Sequence, residues 1–467
     1  MNFSIKNICC IGAGYVGGPS MSVIALNNPS IKVNVVDLNI KRIDEWNDNN
    51  LDKLPIYEPG LKEIIKLCRN KNLFFKTSVE ESIAEADMIF ICVNTPTKIK
   101  GIGAGQASDL IWVEASARQI AKHARSNVIV IEKSTIPVKT ALTIKTILNC
   151  SDTESNLNEK RFYVLSNPEF LSEGTAINDL KNPDRILIGG DDEKSIEALE
   201  DIYKTWVPKK KIIRTNLWSS ELSKLTANAF LAQRVSSINS ISALCESTGA
   251  NVDEVAKAIG SDSRINPKFL KTGPGFGGSC FKKDILNLVY LCNFYGLQEV
   301  ALYWQNVLDL NYWQTKRISK IIVNKLFGTI TEKKIGILGF SFKADTNDTR
   351  ESPSITICQD LIEEGAILKI YDPKVSIYQI ESDLKLKEKG NNSSKTNSWE
   401  FHQNLYDTAH ESDAIIVLTE WEEFSNIDWV RISSLMRKPS WVFDTRRIID
   451  RDKAMESGLK TWIIGQG

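Results

Sequence analysis

The period of apolar and polar positions changes along the chain, and the change divides it. In the first half, short apolar runs rich in β-branched residues alternate with stretches whose apolar residues recur every three or four positions. The runs Asn7–Ile11, Lys32–Asp37, Leu73–Thr77, Met88–Val93, Val128–Glu132 and Phe162–Leu165 predict strands, and Asp109–Arg125 predicts one of the intervening helices. Strands alternating with helices predict a parallel sheet covered on both faces. From about Leu217 to Leu326 the helical period dominates and strand runs disappear. There Leu222, Leu225, Ala229, Ala232, Ser236 and Asn239 share one face of a long helix. A second run, Glu299 to Phe327, carries Trp304, Val307, Leu308 and Ile318. Strand runs restart at Lys334–Phe340, Ile367–Asp372, Ala414–Thr419 and Trp441–Asp444. The expected class is α/β, with doubly wound parallel sheets at 1–216 and 328–467 joined by a helical region at 217–327 suited to a subunit interface. The polar stretch 387–398 predicts a surface loop.

Composition narrows the function. A length of 467 residues suits two large or three ordinary domains. Lys+Arg and Asp+Glu are 58 each, so the net charge is zero, which argues against nucleic-acid partners and a polybasic membrane surface. No apolar run approaches the roughly 18 residues of a membrane span, and the first residues lack the charged and apolar regions of a secretory leader. A cytoplasmic protein is expected. Three histidines, His123, His402 and His410, leave acid–base work to Lys, Cys, Asp or Glu. Nine cysteines, an odd number without CxxC or Cys/His ligand spacing, predict free thiols and no metal site.

The strongest local signal is Gly12-Ala13-Gly14-Tyr15-Val16-Gly17, between a predicted strand and a helical run. Gly12 permits the tight turn, Gly14 lets the main chain approach a pyrophosphate, and Gly17 allows close helix–strand packing. The helix start offers N–H groups and positive potential to phosphates. Asp37 lies 20 residues after Gly17, where a carboxylate bonds a ribose and repels a 2′-phosphate, so NAD is expected over NADP. This makes the first sheet Rossmann-like. A second glycine-dense stretch, Gly273 to Gly278, precedes Cys280 at the expected start of a helix carrying Ile285, Leu288, Val289 and Leu291. That position, with Lys282 and Lys283 beside it, favours a thiolate, whereas the other eight cysteines read as core filling. A thiolate can trap an aldehyde covalently. Lys224 and Asn228 share a helix face, and Asp284 is one turn past Cys280. Thr135 and Glu169 each follow a predicted strand, where open-sheet ligands bind. In the second sheet Gly336-Ile337-Leu338-Gly339 lacks the third glycine, while Lys343, Arg446 and Arg447 supply cations for a diphosphate or sugar.

In order along the chain, these motifs resemble the nucleotide-sugar 6-dehydrogenases. The resemblance rests on the glycine loop, Val93-Asn94-Thr95-Pro96-Thr97, Ser166 to Leu171, Gly275 to Asp284, Gly339 to Lys343, and Asp348 to Ser352. Pro55 to Leu61 and Ala227 to Arg234 are most similar to the eukaryotic UDP-glucose branch. The resemblance implies a four-electron, NAD-dependent oxidation of UDP-glucose at C6 through a Cys280 thioester, in a homo-oligomer. It implies a cofactor set of Gly12, Gly14, Tyr15, Val16, Gly17, Asp37, Arg42, Val93, Asn94, Thr95, Ser134, Glu173, Lys283 and Arg350. It gives catalytic work to Cys280, Lys224, Asp284, Glu169, Asn228 and Thr135. For the sugar nucleotide it implies Glu169, Phe170, Leu171, Lys224, Asn228, Phe269, Leu270, Lys271, Phe276, Gly277, Phe281, Phe342, Lys343 and Arg446, with Arg264 lent to a neighbouring subunit. Thr445 stands where the family usually has glycine, which would strain a positive φ. The rivals are the same chemistry on GDP-mannose or UDP-N-acetylmannosamine, a one-step hydroxyacid-type dehydrogenase, and a non-catalytic NAD-binding scaffold.

Overall fold

A computed structural model describes residues 3–150, 161–386 and 399–467, so the loop predicted at 387–398 lies outside the described residues. The chain forms two compact units, Met1–Ala227 with Leu286–Gly296, and Asn228–Ile285 with Leu297–Gly467.

The first unit holds strands β1 (Asn7–Ile11), β2 (Lys32–Val36), β3 (Leu73–Lys76), β4 (Met88–Ile91), β5 (Val128–Glu132), β6 (Phe162–Ser166), β7 (Ile186–Gly189) and β8 (Ile212–Thr215). Their order is β3-β2-β1-β4-β5-β6-β7-β8, parallel throughout except for the β6–β7 pair. Residues of β4 and β5 are buried at every position, as strands covered on both faces require. The order reverses beside β1, between β2 and β4, and open α/β sheets bind ligands at the carboxyl ends of the strands at such a reversal. Trp46 anchors this corner. It is fully buried, stacks on Phe75 at 4.5 Å, and donates its indole N–H to the Ala13 carbonyl at 2.9 Å.

In the second unit β9 (Lys334–Leu338), β10 (Ile367–Tyr371), β11 (Trp399–Phe401), β12 (Ala414–Val417), β13 (Trp441–Asp444) and β14 (Lys460–Ile463) form a parallel sheet ordered β11-β10-β9-β12-β13-β14. The helices Leu217–Thr248, Val252–Gly260, Phe281–Phe294 and Gln298–Lys325 fill the chain between the sheets. The fold is therefore α/β, with two Rossmann-like parallel sheets and a central helical region, as the alternating periods predict.

Four strands escaped the periodic pattern: β7, β8, β11 and β14. They are three or four residues long, and β8 and β14 leave most positions partly or fully exposed, which blurs a burial signal. Two expectations are corrected. Leu222 is not on the buried face of the Leu217–Thr248 helix but 41 % exposed, while Leu225, Ala229, Ala232, Ser236 and Asn239 are buried. Cys150 is exposed rather than core, at the C-terminal cap of the Thr140–Asn149 helix. Among the described residues no helix is long and apolar enough to cross a membrane.

Because Trp46 fills its corner by both packing and hydrogen bonding, Trp46→Ala is expected to lower unfolding free energy by about 3–5 kcal/mol. Urea unfolding followed by circular dichroism measures it.

Candidate active site

The first unit gathers one group of residues at the carboxyl ends of its strands. Gly12 has φ +110°, and a Cβ there would lie 2.4 Å from the Cys92 carbonyl oxygen, so only glycine makes this turn. A Cβ on Gly14 would meet nothing within 4 Å, which leaves the room that a pyrophosphate needs beside the start of the Gly17–Asn27 helix. Tyr15 and Val16 lie partly buried in this loop. Asp37 accepts from the Ala13 N–H at 3.0 Å and the Asn39 N–H at 2.9 Å, and pairs with Arg42 at 3.3 Å. These residues fit the adenosine half of a dinucleotide, with a carboxylate where a 2′-phosphate would have to sit.

At the neighbouring strand ends, Ser134 donates to the Val93 carbonyl at 2.8 Å, and the Thr95 hydroxyl donates to the Thr135 carbonyl at 2.7 Å. The loop ends after β4 and β5 are thus tied together. Asn94 is exposed beside them, and Glu173 is partly buried in the loop after β6. Glu169 is buried and meets Lys224, also buried, at 3.1 Å. Lys224 Nζ lies 5.5 Å from the Phe170 ring centroid, and the Arg185 guanidinium covers that ring at 3.8 Å. The Leu171 N–H turns back to Glu169 at 3.0 Å. Lys224 is therefore no solvated helix charge.

The second unit gathers another group. Asn228, one turn beyond Lys224 along the Leu217–Thr248 helix, donates to Asp284 at 2.6 Å. Lys283 approaches Asp284 at 3.7 Å. Cys280 is exposed, immediately before the Phe281–Phe294 helix, and its carbonyl accepts from the Asp284 N–H at 2.9 Å. Lys282 pairs with Glu351 at 2.8 Å. Both lysines are also matched to carboxylates, and the helix start favours a thiolate at Cys280. Phe269, Phe276 and Phe281 form one aromatic cluster, at 6.5 Å and 5.7 Å between ring centroids. Leu270 is buried beside exposed Lys271.

Loops of the second sheet close on this segment. The Gly278 N–H donates to the Arg350 carbonyl at 2.8 Å, and an added Cβ on Gly277 would lie 2.8 Å from Phe342. Arg446 donates to the Phe342 carbonyl at 2.8 Å and pairs with Glu420 at 2.9 Å. Lys343 Nζ lies 5.6 Å from the Phe342 ring centroid. Thr445 does not carry the feared strain. Its φ is not positive, it is fully buried, and its hydroxyl donates to the Val417 carbonyl at 2.7 Å; the left-handed residue here is Arg447. Arg447 instead reaches Asp253 at 2.6 Å and serves packing rather than a ligand. The Arg350 side chain pairs with Asp348 at 2.6 Å, and exposed Arg264 pairs with Asp262 at 2.6 Å. Among the described residues no group of three or more His, Cys, Asp or Glu is placed to hold a metal ion.

Sequence patterns missed the groups that hold these loops. Glu58 is buried, accepts from the Gly174 N–H at 2.5 Å and the Ala176 N–H at 2.9 Å, and takes the Tyr15 hydroxyl, so it joins the glycine loop to the Glu173 loop. Lys133 is buried, with its Nζ 3.0 Å from Asn167 Oδ1 and 3.3 Å from the Tyr203 hydroxyl. Glu221 accepts from the Lys139 N–H and the Ala141 N–H, each at 2.7 Å, and so caps the helix that follows the Thr135 loop. Glu58 and Lys133 sit within or next to motifs already singled out. In the sequence, however, a buried structural charge looks the same as a surface one.

A glycine turn with room for a pyrophosphate, a ribose carboxylate and a second sheet with its own ligand loops define an NAD-dependent oxidoreductase. The chain belongs to the UDP-glucose/GDP-mannose dehydrogenase family. It matches that family's NAD binding domain over residues 6–207, its central domain over 218–313 and its UDP binding domain over 336–451. It is 56% identical to the UDP-glucose 6-dehydrogenase of Gallus gallus, covering 96% of this chain and 90% of that protein. Identity to the Drosophila melanogaster UDP-glucose 6-dehydrogenase is 53%, over 98% and 96%. Among solved structures, the UDP-glucose dehydrogenase of Pyrobaculum islandicum superposes with a TM-score of 0.81 at 27% identity, covering 98% of each chain. The UDP-D-ManNAc dehydrogenase of Pyrococcus horikoshii gives 0.79 at 25%, covering 99% of this chain and 100% of that one.

The Glu221 cap has a pH consequence. Burial pushes its carboxyl from 4.5 up to about 7, against the lowering effect of its two N–H donors and of Lys145. Buried Glu132 lies near enough for the Glu221 charge to raise it further. The folded state then holds a proton that the unfolded chain has lost, so stability from this group is greatest below about pH 4.5 and falls as pH rises to about 7. The loss is roughly 2–3 kcal/mol. Urea midpoints from pH 5 to 8 are expected to fall less steeply in Glu221→Gln, and the difference between the two profiles reports Glu221 together with its effect on Glu132.

Proposed function

We propose that the protein oxidises UDP-glucose at C6 to UDP-glucuronate, using two NAD⁺ and one water through a covalent Cys280 intermediate. The observation that carries this reading is the buried Lys224–Glu169 pair in the first unit. A buried amine beside a carboxylate suits repeated proton transfer without histidine. The relatives at 53–56% identity are named as UDP-glucose 6-dehydrogenases, which supports this sugar nucleotide over others.

NAD⁺, when bound, supplies the hydride acceptor for each oxidation. Lys224, directly or through a water, takes the C6 hydroxyl proton, and Asn228 steadies the developing oxyanion with its amide. The Cys280 sulfur then bonds to the aldehyde carbon and the carbonyl oxygen gains a proton, so the aldehyde stays on the protein as a thiohemiacetal. A second oxidation turns it into a thioester. Water held by Thr135, Asp284 and Glu169 adds to that carbon, the C–S bond breaks, and the thiol is regenerated with the carboxylate product.

The cofactor is assigned to Gly12, Gly14, Tyr15, Val16, Gly17, Asp37, Arg42, Val93, Asn94, Thr95, Ser134, Glu173, Lys283 and Arg350. The sugar nucleotide is assigned to Phe170, Leu171, Phe269, Leu270, Lys271, Phe276, Gly277, Phe281, Phe342, Lys343 and Arg446, with Arg264 lent to a second copy. Exposed apolar side chains on the central helices, including Phe230, Leu244, Tyr312 and Trp313, favour a homo-oligomer. The three functional parts are drawn at 1–216, 217–327 and 328–467, in a cytoplasmic enzyme. A second reading, the same chemistry on another nucleotide sugar, draws on the likeness to the ManNAc enzyme.

A steady-state assay is expected to yield two NADH per UDP-glucose consumed; a ratio of one removes the thioester scheme. Cys280→Ser is expected to lose turnover while keeping NAD binding by fluorescence, and full activity in that variant removes the nucleophile. Lys224→Met is expected to lower kcat by about 10²–10⁴-fold. Faster NADH formation with GDP-mannose or UDP-N-acetylmannosamine than with UDP-glucose would favour the second reading.

A further inference from the structure

A run such as Gly273-Pro274-Gly275-Phe276-Gly277-Gly278 has little means of holding itself in one conformation, because glycine loses more backbone freedom on ordering than any other residue. In the second unit that cost is met from outside the loop, through its main chain. Arg234 donates to the carbonyls of Ile265 at 2.9 Å, Asn266 at 2.6 Å and Lys268 at 2.7 Å. Asn239, on the same helix and fully buried, accepts from the Thr272 hydroxyl at 2.8 Å and the Gly273 N–H at 2.9 Å.

The Gln298–Lys325 helix supplies the rest. Gln314 donates to the Gly273 carbonyl at 3.0 Å, and Thr315 to the Pro274 carbonyl at 2.8 Å. Asn311 makes a matched pair with Phe276, accepting from its N–H at 2.8 Å and donating to its carbonyl at 3.1 Å. Gly275 has φ +134°, and a Cβ there would stand 3.0 Å from both Asn311 Oδ1 and Thr315 Oγ1, so this glycine is what lets the main chain lie on the helix. Past Phe276 the loop is next held at Gly278, by the Arg350 carbonyl. Asn311 and the Arg350 carbonyl therefore hold the two sides of Gly277, with Asn311 the last fixed point on the approach to it.

We propose that Asn311 is a positioning residue. With Arg234, Asn239, Gln314 and Thr315 it forms a polar rail that sets the main-chain phase of the loop holding the sugar nucleotide and the nucleophile. This rests on the proposed roles of that loop and Cys280. Asn311 touches no reacting atom; it acts through Phe276. A side chain that pairs with both the N–H and the carbonyl of one residue fixes that peptide's rotation as well as its place, which simple packing does not.

The test compares Asn311→Ala, Asn311→Asp and Thr315→Val with the full-length wild type. Asn311→Ala is expected to lower kcat/KM for UDP-glucose by about 10- to 100-fold, chiefly through KM, as a misplaced loop should. The KM for NAD should stay within about twofold, since all the residues assigned to the cofactor except Lys283 and Arg350 lie in the first unit. UDP-glucose should protect Cys280 from iodoacetamide, read by peptide mass, only at concentrations raised by the same factor as KM. Asn311→Asp keeps the acceptor for the Phe276 N–H and loses the donor, so it should fall between wild type and alanine. An unchanged KM and an unchanged protection curve in Asn311→Ala overturn the proposal, as does an equal rise in both KM values, the mark of general damage. If the alanine variant does not fold, Asn311→Asp and Thr315→Val decide by the same two readouts. Cys280→Ser separates the two claims: full turnover there with a raised KM in Asn311→Ala removes the nucleophile and leaves the rail standing.

Discussion

Two opposite charges taken out of water together govern the layout of the first unit. Lys224 and Glu169 are both buried and 3.1 Å apart, and neither could be stripped of water alone without a cost of several kcal/mol. The pair fastens the Leu217–Thr248 helix to the loop after β6, and that loop must then be held firmly enough to keep the carboxylate in place. The Lys133, Asn167 and Tyr203 network does this from beneath, with Tyr203 donating to Asn167 at 2.6 Å and Asn167 to the Leu187 carbonyl at 2.8 Å. Glu58 holds the far side of the same loop at Gly174 and Ala176. A charge pair thus requires a second layer of polar groups, to which buried Glu58 and Lys133 belong.

The two sheets use one device to different ends. Each has a glycine of positive φ after its first strand, Gly12 at +110° and Gly339 at +91°, and an aspartate after its second. Asp37 is half-buried and accepts from three donors: Ala13, Asn39 and Arg42. Asp372 is 4 % exposed and takes six, from Phe340, both the N–H and hydroxyl of Ser341, Trp421, Lys374 and Val375. An ionised carboxylate offers about four lone-pair positions. Asp37 retains capacity for ribose hydroxyls, whereas Asp372 is consumed by its own chain. The same topology therefore suits a dinucleotide in the first unit, and in the second, which matches a UDP binding domain, a ligand proposed to lie against Phe342, Lys343 and Arg446.

Much of the fold was legible because β1, β2, β4, β5 and their counterparts are buried runs bounded by helical periods. Edge strands β8, β11 and β14 were not, since a strand with one neighbour and mixed exposure carries no clean alternation. The glycine turn and Asp37 could be derived from spacing, because phosphate and ribose set fixed demands on the main chain. Cys280 could be singled out from its place before a helix. Lys224 could not be separated from a solvated lysine by pattern, and its burial became visible only when β6 brought Glu169 and Phe170 to it. Asn311, Gln314 and Thr315 read as ordinary polar positions on a helix, because hydrogen bonds to another segment's main chain leave no trace in residue type.

The distribution of sulfur has a practical side. Seven of the nine cysteines are buried, and burial pushes the Cys9 thiol up to about 12 and those of Cys10 and Cys358 well above the ordinary range. Thiols held that far from ionisation are closed to oxidants and alkylating agents at neutral pH, because the thiolate is the reacting species. Only Cys150 and Cys280 face solvent. The vulnerability of the protein's thiols to oxidation is thus concentrated on two cysteines, one at the tail of a helix and one in the loop proposed to do the chemistry. An enzyme built this way would lose activity to oxidation long before it lost its fold.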